Sequence, residues 1–221
     1  MTVSDPPPSE HDTRRRLLEA ACEVFAEHGF RAATVRDICH RAGANVAAVN
    51  YHFGDKETLY RTLFETTLQD SLAEYPPDYG LSARPTSDER LHAFVRSFLL
   101  RILSPDKPQS LMKMVMREMT EPTGVLEHVC QTVHKPLFAL LRGIVSDVAE
   151  GRLDEAELMA CCHSVVAQCV FYRHAEPVLD AMKFEIPRDT ASIERLAEHV
   201  SAFSLAGIRG RAGTARKGAR A

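Results

Sequence analysis

Apolar residues recur at helical spacing along almost the whole chain. Leu17, Ala21, Val24, Phe25 and His28 follow i, i+4, i+7, i+8, i+11 spacing. They predict a first helix capped by Asp12 or Thr13 and stopped by Gly29. Thr34 then caps a second helix with Val35, Ile38, Cys39 and Ala42 on one face, and Gly43 ends it. A third, short helix runs from about Asn45 with Val46, Val49 and Phe53 turned inward. Gly54 breaks it and Asp55 caps the next, where Leu59, Tyr60, Leu63, Phe64 and Leu68 predict a fourth helix to about Glu74.

The stretch Tyr75 to Gly80 and the segment from Pro85 carry the residues of a linker or loop. Beyond them, Leu91, Phe94, Val95, Phe98, Leu99 and Ile102 predict a helix from Asp88 to Leu103, and a methionine-rich stretch spans Leu111 to Met119. Val125, Val129, Val133, Leu137, Leu140, Leu141 and Ile144 predict one long helix, which Pro136 should kink or break. Two more helices are expected, from about Asp154 to Arg173 and from about Thr190 to Ala206. The Gly/Arg-rich end, Gly207 to Ala221, and the Pro-rich acidic start, residues 1–11, are expected to be disordered. No strand pattern or internal repeat emerges, so the fold class is all-α.

Composition adds bounds rather than identity. With 221 residues, 45% of them hydrophobic, the chain can bury a full core in one large domain or two small ones. No apolar run approaches the roughly 18–20 residues that span a bilayer. The first residues lack the basic and apolar parts of a secretion signal, so no membrane association and a cytoplasmic location are expected. The six cysteines form no C-x-x-C pair and sit mostly among apolar neighbours, as small core residues do in a reducing compartment. The net charge of −3 hides an uneven distribution. Arg14, Arg15, Arg16, Arg31, Arg36, Arg41, Lys56 and Arg61 crowd the N-terminal region, and local stripes set phosphate attraction.

The sharpest chemistry lies between Thr34 and Phe53, where two short helical patterns meet at Ala42-Gly43 in a helix-turn-helix layout. Asn45, Ala47, Ala48, Tyr51 and His52 are left free to face a groove, with Asn50 at the border and Val46 at the helix start. Ala47 and Ala48 allow close approach of the backbone to a major groove. Asn50 carries the paired donor and acceptor that match adenine N6 and N7. Tyr51 and His52 have tips that can donate to phosphate oxygens. Thr34, with Arg36 beside it, and Lys56 lie at helix starts, where free N–H groups and the dipole favour a phosphate. Double-stranded DNA is the expected partner.

Residues from about 12 to 64 resemble the N-terminal domain of TetR/AcrR-type transcriptional regulators. The resemblance rests on Ala20, Phe25, Gly29, Phe30, Thr34, Val35, Ile38, Ala42-Gly43, Tyr51-His52-Phe53, Lys56, Glu57 and Leu59. Where most members carry a tyrosine third before the closing Phe, this chain has Asn50, so operator preference does not transfer from them. In the second half, Arg117-Glu-Met-Thr-Glu-Pro-Thr123, the Pro136 helix and the segment Ser164 to Arg173 resemble the C-terminal domain of CecR-type regulators.

The resemblance implies a helix-turn-helix domain over 12–58, a linking helix from about 56, and a helical ligand-binding and dimerisation domain over 59–206. The partners it implies are a DNA operator, an unidentified small-molecule effector and a second copy of the chain, with no cofactor. Phe94, Phe98, Met112, Met116, Met119, Phe138, Leu141 and Phe171 are the candidate pocket. Leu158, Cys162, Val165, Cys169, Ile193, Leu196, Val200 and Phe203 are the candidate dimer face.

Two competing classes have some footing. Cys161-Cys162-His163 with Cys169 and His174 could bind a metal in an enzyme, although adjacent helical residues diverge by about 100°. A thiol-based redox-responsive regulator would need an exposed thiolate of low pKa. The chain lacks G-x-S-x-G, H-E-x-x-H, phosphate-loop and dinucleotide signatures, so no catalytic residue is expected.

Overall fold

The computed structural model describes residues 10–104 and 109–218, the side chains at 109, 112 and 215–218 excepted. The arm expected over 1–11 therefore lies outside the described residues, apart from Glu10 and His11, which begin the first helix.

The helices are α1 (Glu10–Ala32), α2 (Val35–Ala42), α3 (Val46–Phe53), α4 (Lys56–Glu74), α5 (Ser87–Leu103), α6 (Gln109–Thr120), α7 (Val125–Val129), α8 (Lys135–Val148), α9 (Glu155–His174), α10 (Glu176–Ala181) and α11 (Thr190–Gly218). No strand occurs among the described residues. They divide into two compact units, Met1–Gln69 with Pro108–Gln131, and Asp70–Lys107 with Thr132–Ala221. The division differs from a simple cut near residue 58, because α6 and α7 group with the N-terminal helices.

The first unit closes over Leu17, Val24, Phe25, Ile38, Val49, Leu59, Phe64 and Met114, all essentially inaccessible. Tyr60 meets Phe25 edge-on at 4.7 Å and Phe64 at 5.1 Å. A buried carboxylate ties α6 into this unit. Glu118 accepts from the Tyr60 hydroxyl at 2.9 Å, the Thr123 hydroxyl at 2.8 Å and the Thr123 N–H at 3.0 Å. Three donors supply what a buried carboxylate loses with its water. Burial, then the Glu118 contact, raises the Tyr60 pKa, so the phenol stays a donor.

The second unit packs α5, α8, α9 and α11 around an apolar core that includes Leu91, Leu99, Leu141, Val145, Cys162, Val165, Ile193 and Ile208. The helix expected across Pro136 is interrupted. α7 ends at Val129, a π-turn covers Cys130–His134, and α8 carries the proline in its first turn. Proline has no N–H to give the carbonyl four residues earlier, and its ring crowds that carbonyl, so the wider turn falls there.

Two features were not foreseen. α10 follows α9 with Pro177 in its first turn, a position that suits proline's fixed φ. More consequentially, α11 does not stop near Ala206 but continues to Gly218. Ile193, Ala197, Val200, Ser204, Ile208 and Ala212 make a buried stripe at three- and four-residue spacing. Arg209 and Arg211 reach Asp88 and Glu157 at 2.6 Å. Local composition argued for disorder, but burial of Ile208 and Ala212 outweighs the roughly 1 kcal/mol that each helical glycine costs.

Ile208→Ala is therefore expected to destabilise the protein by about 2–4 kcal/mol in urea unfolding. Arg209→Ala, at an exposed ion pair, should move Tm by no more than about 1–2 °C. A disordered tail would leave both variants equal to the parent.

Candidate nucleic-acid interface

Each short helix of the motif is closed at both ends by its own sequence. The Thr34 hydroxyl accepts from the Asp37 N–H at 3.2 Å and donates to the Asp37 carboxylate at 2.6 Å; that carboxylate also takes the Thr34 N–H. This reciprocal box holds the Asp37 pKa below its usual value, chiefly through the Thr34 hydroxyl. Gly43 ends α2 in the left-handed region at φ 59°, and its N–H returns to the last turn. Asn45 caps α3 through Oδ1, which accepts from Ala47 N–H at 3.0 Å. Asp55 caps α4 by accepting from Thr58 N–H at 2.7 Å.

α3 is seated by Val49 and Phe53, both buried. Successive residues turn by about 100°, so the side opposite Val49 carries Ala47 and Tyr51, with Asn50 beside them. All three are exposed, Tyr51 at 74%. The Asn50 side chain makes no hydrogen bond among the described residues and keeps its donor and acceptor for a partner. Ala48 and His52 are half-buried at the edge of the surface. Val46, expected to turn inward, is 44% exposed. It stands about 60° round the helix from Val49, at the margin of the seated face.

Lys56 does a different job from the one its position suggested. Its ammonium donates to the carbonyls of Phe30 at 2.8 Å and Ala33 at 2.9 Å and lies 4.5 Å from the centre of the Phe30 ring. It satisfies the carbonyls left at the end of α1, so its side chain acts as a clamp inside the unit. Gly29 makes the adjoining break, with φ 76° and ψ 168°. A side chain there would also run into Arg117 of α6.

Among the other basic groups, Arg41 is paired with Glu27 at 2.8 Å, Arg15 with Glu19 at 3.0 Å, and Arg14 lies over the Phe53 ring. Arg31 and Arg36 remain exposed and unpaired among the described residues.

The residues singled out in the second half fall in both units. Phe94, Phe98, Phe138 and Leu141 join the core of the second unit. Met116 and the exposed Met119 belong to α6 in the first, and the Met112 side chain lies outside the described residues. Met114 is the buried methionine of that stretch. Phe171 is 53% exposed.

Seven of the eight dimer-face residues (Leu158, Cys162, Val165, Cys169, Ile193, Leu196 and Val200) are buried in the chain's own core, so they cannot present a surface to a second chain. Phe203 alone among them is exposed, at 65%. α9 is apolar on more than one side, and sequence does not say which side the chain itself covers.

Cys161, Cys162, His163, Cys169 and His174 do not converge. Cys162 and Cys169 point into the core, while His163 and His174 are exposed. No group of three such ligands occurs among the described residues. Burial pushes the Cys22 and Cys162 thiols up to about 11 and Cys169 up to about 12, and also raises Cys39 and Cys161. These are poor nucleophiles at neutral pH. Cys130 is exposed. No described helix is long and apolar enough to cross a membrane.

Comparison with known proteins matches both halves. Residues 17–63 fit the model of bacterial regulatory proteins of the tetR family. Residues 87–208 fit the C-terminal domain of the HTH-type transcriptional dual regulator CecR. The Shigella flexneri CecR regulator is 27% identical over 177 residues, covering 72% of this chain and 75% of that protein. The KstR2 repressor of Mycobacterium tuberculosis is 40% identical over 86 residues, 38% of this chain and 42% of its own length. Among solved structures, a transcriptional regulator from Pseudomonas aeruginosa PAO1 superposes with a TM-score of 0.68 at 20% identity, covering 92% of this chain and 95% of that one.

Lys56→Met should destabilise the protein by about 1.5–3 kcal/mol in chemical denaturation, since two hydrogen bonds from a charged donor are lost. Iodoacetamide at pH 8 should label Cys130 readily and reach Cys22, Cys162 and Cys169 only on unfolding, as read by peptide mass spectrometry.

Proposed function

Since this chain belongs to the TetR/AcrR family of transcriptional regulators, with a C-terminal domain of the CecR type, we propose that it is a repressor released by a small-molecule effector. It binds a roughly palindromic operator as a homodimer. The observation that carries this reading is the outward face of α3. Asn50, Ala47 and Tyr51 stand exposed on a helix whose opposite face is locked by Val49 and Phe53. Such a surface holds polar groups at fixed positions without spending them on the fold.

Asn50 reads an adenine through its paired donor and acceptor, while Ala47 and Ala48 keep the helix close to the groove floor. Tyr51, His52 and Arg36, with the N–H groups at the starts of α2 and α4, hold phosphates. Thr34 and Asn45 act through the caps that fix where α2 and α3 begin, and Lys56 acts by fixing the end of α1.

The dimer face lies on the outer side of α9 and α11. Phe171, Val170 and Phe203 are exposed there, and His199 stacks on Phe203 at 6.4 Å. A shallow cleft of about 330 Å³ is lined by Ala167, Gln168, Phe171, Tyr172, His199 and Val200. A twofold pairing of this surface would present two α3 helices to DNA half-sites. An effector that prefers a dimer with wrongly spaced heads weakens DNA binding, and DNA weakens effector binding by the same factor. Repression follows the KstR2 relative, named a repressor; activation at some operators is the second reading, because the Shigella relative is a dual regulator.

Footprinting on the DNA upstream of the protein's own gene tests the proposal. Two protected half-sites are expected. Asn50→Ala should relax preference at one base position per half-site by about 1–3 kcal/mol. Phe203→Asp should give a monomer in sedimentation and lose the paired footprint. A uniform loss across all sequences in Asn50→Ala would remove its base-reading role.

A further inference from the structure

Most described arginines of the second unit are paired with carboxylates, and Arg84 and Arg195 stand exposed to solvent without one among the described residues. Arg90 meets Asp147, Arg96 meets Glu194, Arg142 meets Glu155, Arg173 meets Glu176 and Arg209 meets Asp88. Arg101, on α5, meets no carboxylate among the described residues. Its Nε donates to the Ser97 carbonyl at 3.2 Å, and its guanidinium lies 5.4 Å from the centre of the Phe98 ring. Nη2 is sealed from solvent with no acceptor among the described residues. The residue as a whole keeps part of its surface exposed, so the guanidinium is not enclosed on every side.

The ionisable groups coupled to Arg101 do not neutralise it. Burial pushes the Cys169 thiol up to about 12, so it carries no charge at neutral pH. Desolvation, then the Arg101 charge, lowers the His134 imidazole pKa and favours its neutral form. Burial pulls Arg101 itself down to about 10, still cationic at neutral pH. His134 closes the π-turn Cys130–His134, an interruption of helical geometry that recurs at functional sites.

A desolvated guanidinium with no counter-charge and no acceptor for Nη2 is a net cost to the fold. A straight apolar side chain of similar length would fill the same space without that cost. The missing component is an anion. Because Nε is committed to Ser97, the edge without an acceptor is that of Nη1 and Nη2, whose two parallel N–H groups match a flat carboxylate. The Phe98 ring offers an apolar surface to whatever carries that carboxylate.

We propose that Arg101, beside Phe98, is the anion-receiving point of the effector site, and that the effector is a small amphipathic carboxylate. This rests on the reading of the second unit as the effector-responsive half of a regulator.

The test is thermal unfolding of the full-length protein with octanoate and benzoate, each against its neutral amide. The carboxylates are expected to raise Tm and the amides to leave it unchanged. Arg101→Met should unfold at or above the wild-type temperature without ligand, and should weaken carboxylate binding at least about tenfold. Arg101→Lys keeps the charge without the flat fork; it should lose most of the carboxylate shift and serves if Arg101→Met does not fold. The proposal is overturned if amides match carboxylates, if no carboxylate shifts the wild type, or if Arg101→Met folds but unfolds several degrees lower. A gel shift on the footprinted operator separates this inference from the reading beneath it. Arg101→Met should bind the operator like the wild type and no longer be released by carboxylate. A wild type that bound no operator would sink the regulator reading itself, whatever the melting curves showed.

Discussion

Helices of eight residues do not persist in water on their own, and the candidate DNA-reading surface is carried on one of them. Everything in the first unit answers that constraint. The Thr34–Asp37 box, the left-handed Gly43 and the Asn45 cap satisfy the end groups of α2 and α3 within a few residues. Val49 and Phe53 then bury one side of α3. Lys56 does the corresponding work for the end of α1, where Gly29 has already broken the helix. The exposed residues Ala47, Asn50 and Tyr51 are free to be recognition groups because others hold the backbone.

Two buried polar groups show how differently charge can be handled within one chain. Glu118 is enclosed and takes three hydrogen bonds from Tyr60 and Thr123, so it behaves as a fastener between α4, α6 and the turn after α6. Arg101 has a sealed Nη2 with nothing to donate to among the described residues. The first arrangement is complete without a partner from outside, and the second is not. A fastener explains why α6 belongs with the N-terminal helices, whereas an incomplete site in the second unit is where an external group would be felt.

The outer side of α9 and α11 has the opposite imbalance, with aromatic surface rather than charge left uncovered. Phe171 and Phe203 are far more exposed than Cys169 and Val200, neighbours on the same helices that fill the core. Charged residues would be the default on a solvated helix face, and the proposed homodimer would cover this aromatic surface.

The sequence by itself determined the all-α class, the boundaries of α2, α3 and α4, and the solvent side of α3 apart from Val46. Those features depend on caps, glycines and periodicity that act over four residues or fewer. Thr34, Gly43, Asn45 and Asp55 carry their structural meaning in their neighbours. Tertiary structure decided the rest. Lys56 has the look of a phosphate ligand until Phe30 and Ala33, distant in sequence, bring their carbonyls to it. The tail beyond Ala206 has the composition of a disordered segment until Ile208 and Ala212 find a core to enter. Cys162 and Val165 could not be told from a dimer face, because a helix apolar on several sides does not declare which side its own chain will cover. Nor could Arg101 be told from the other arginines, since the lack of a partner exists only once every neighbour has been placed.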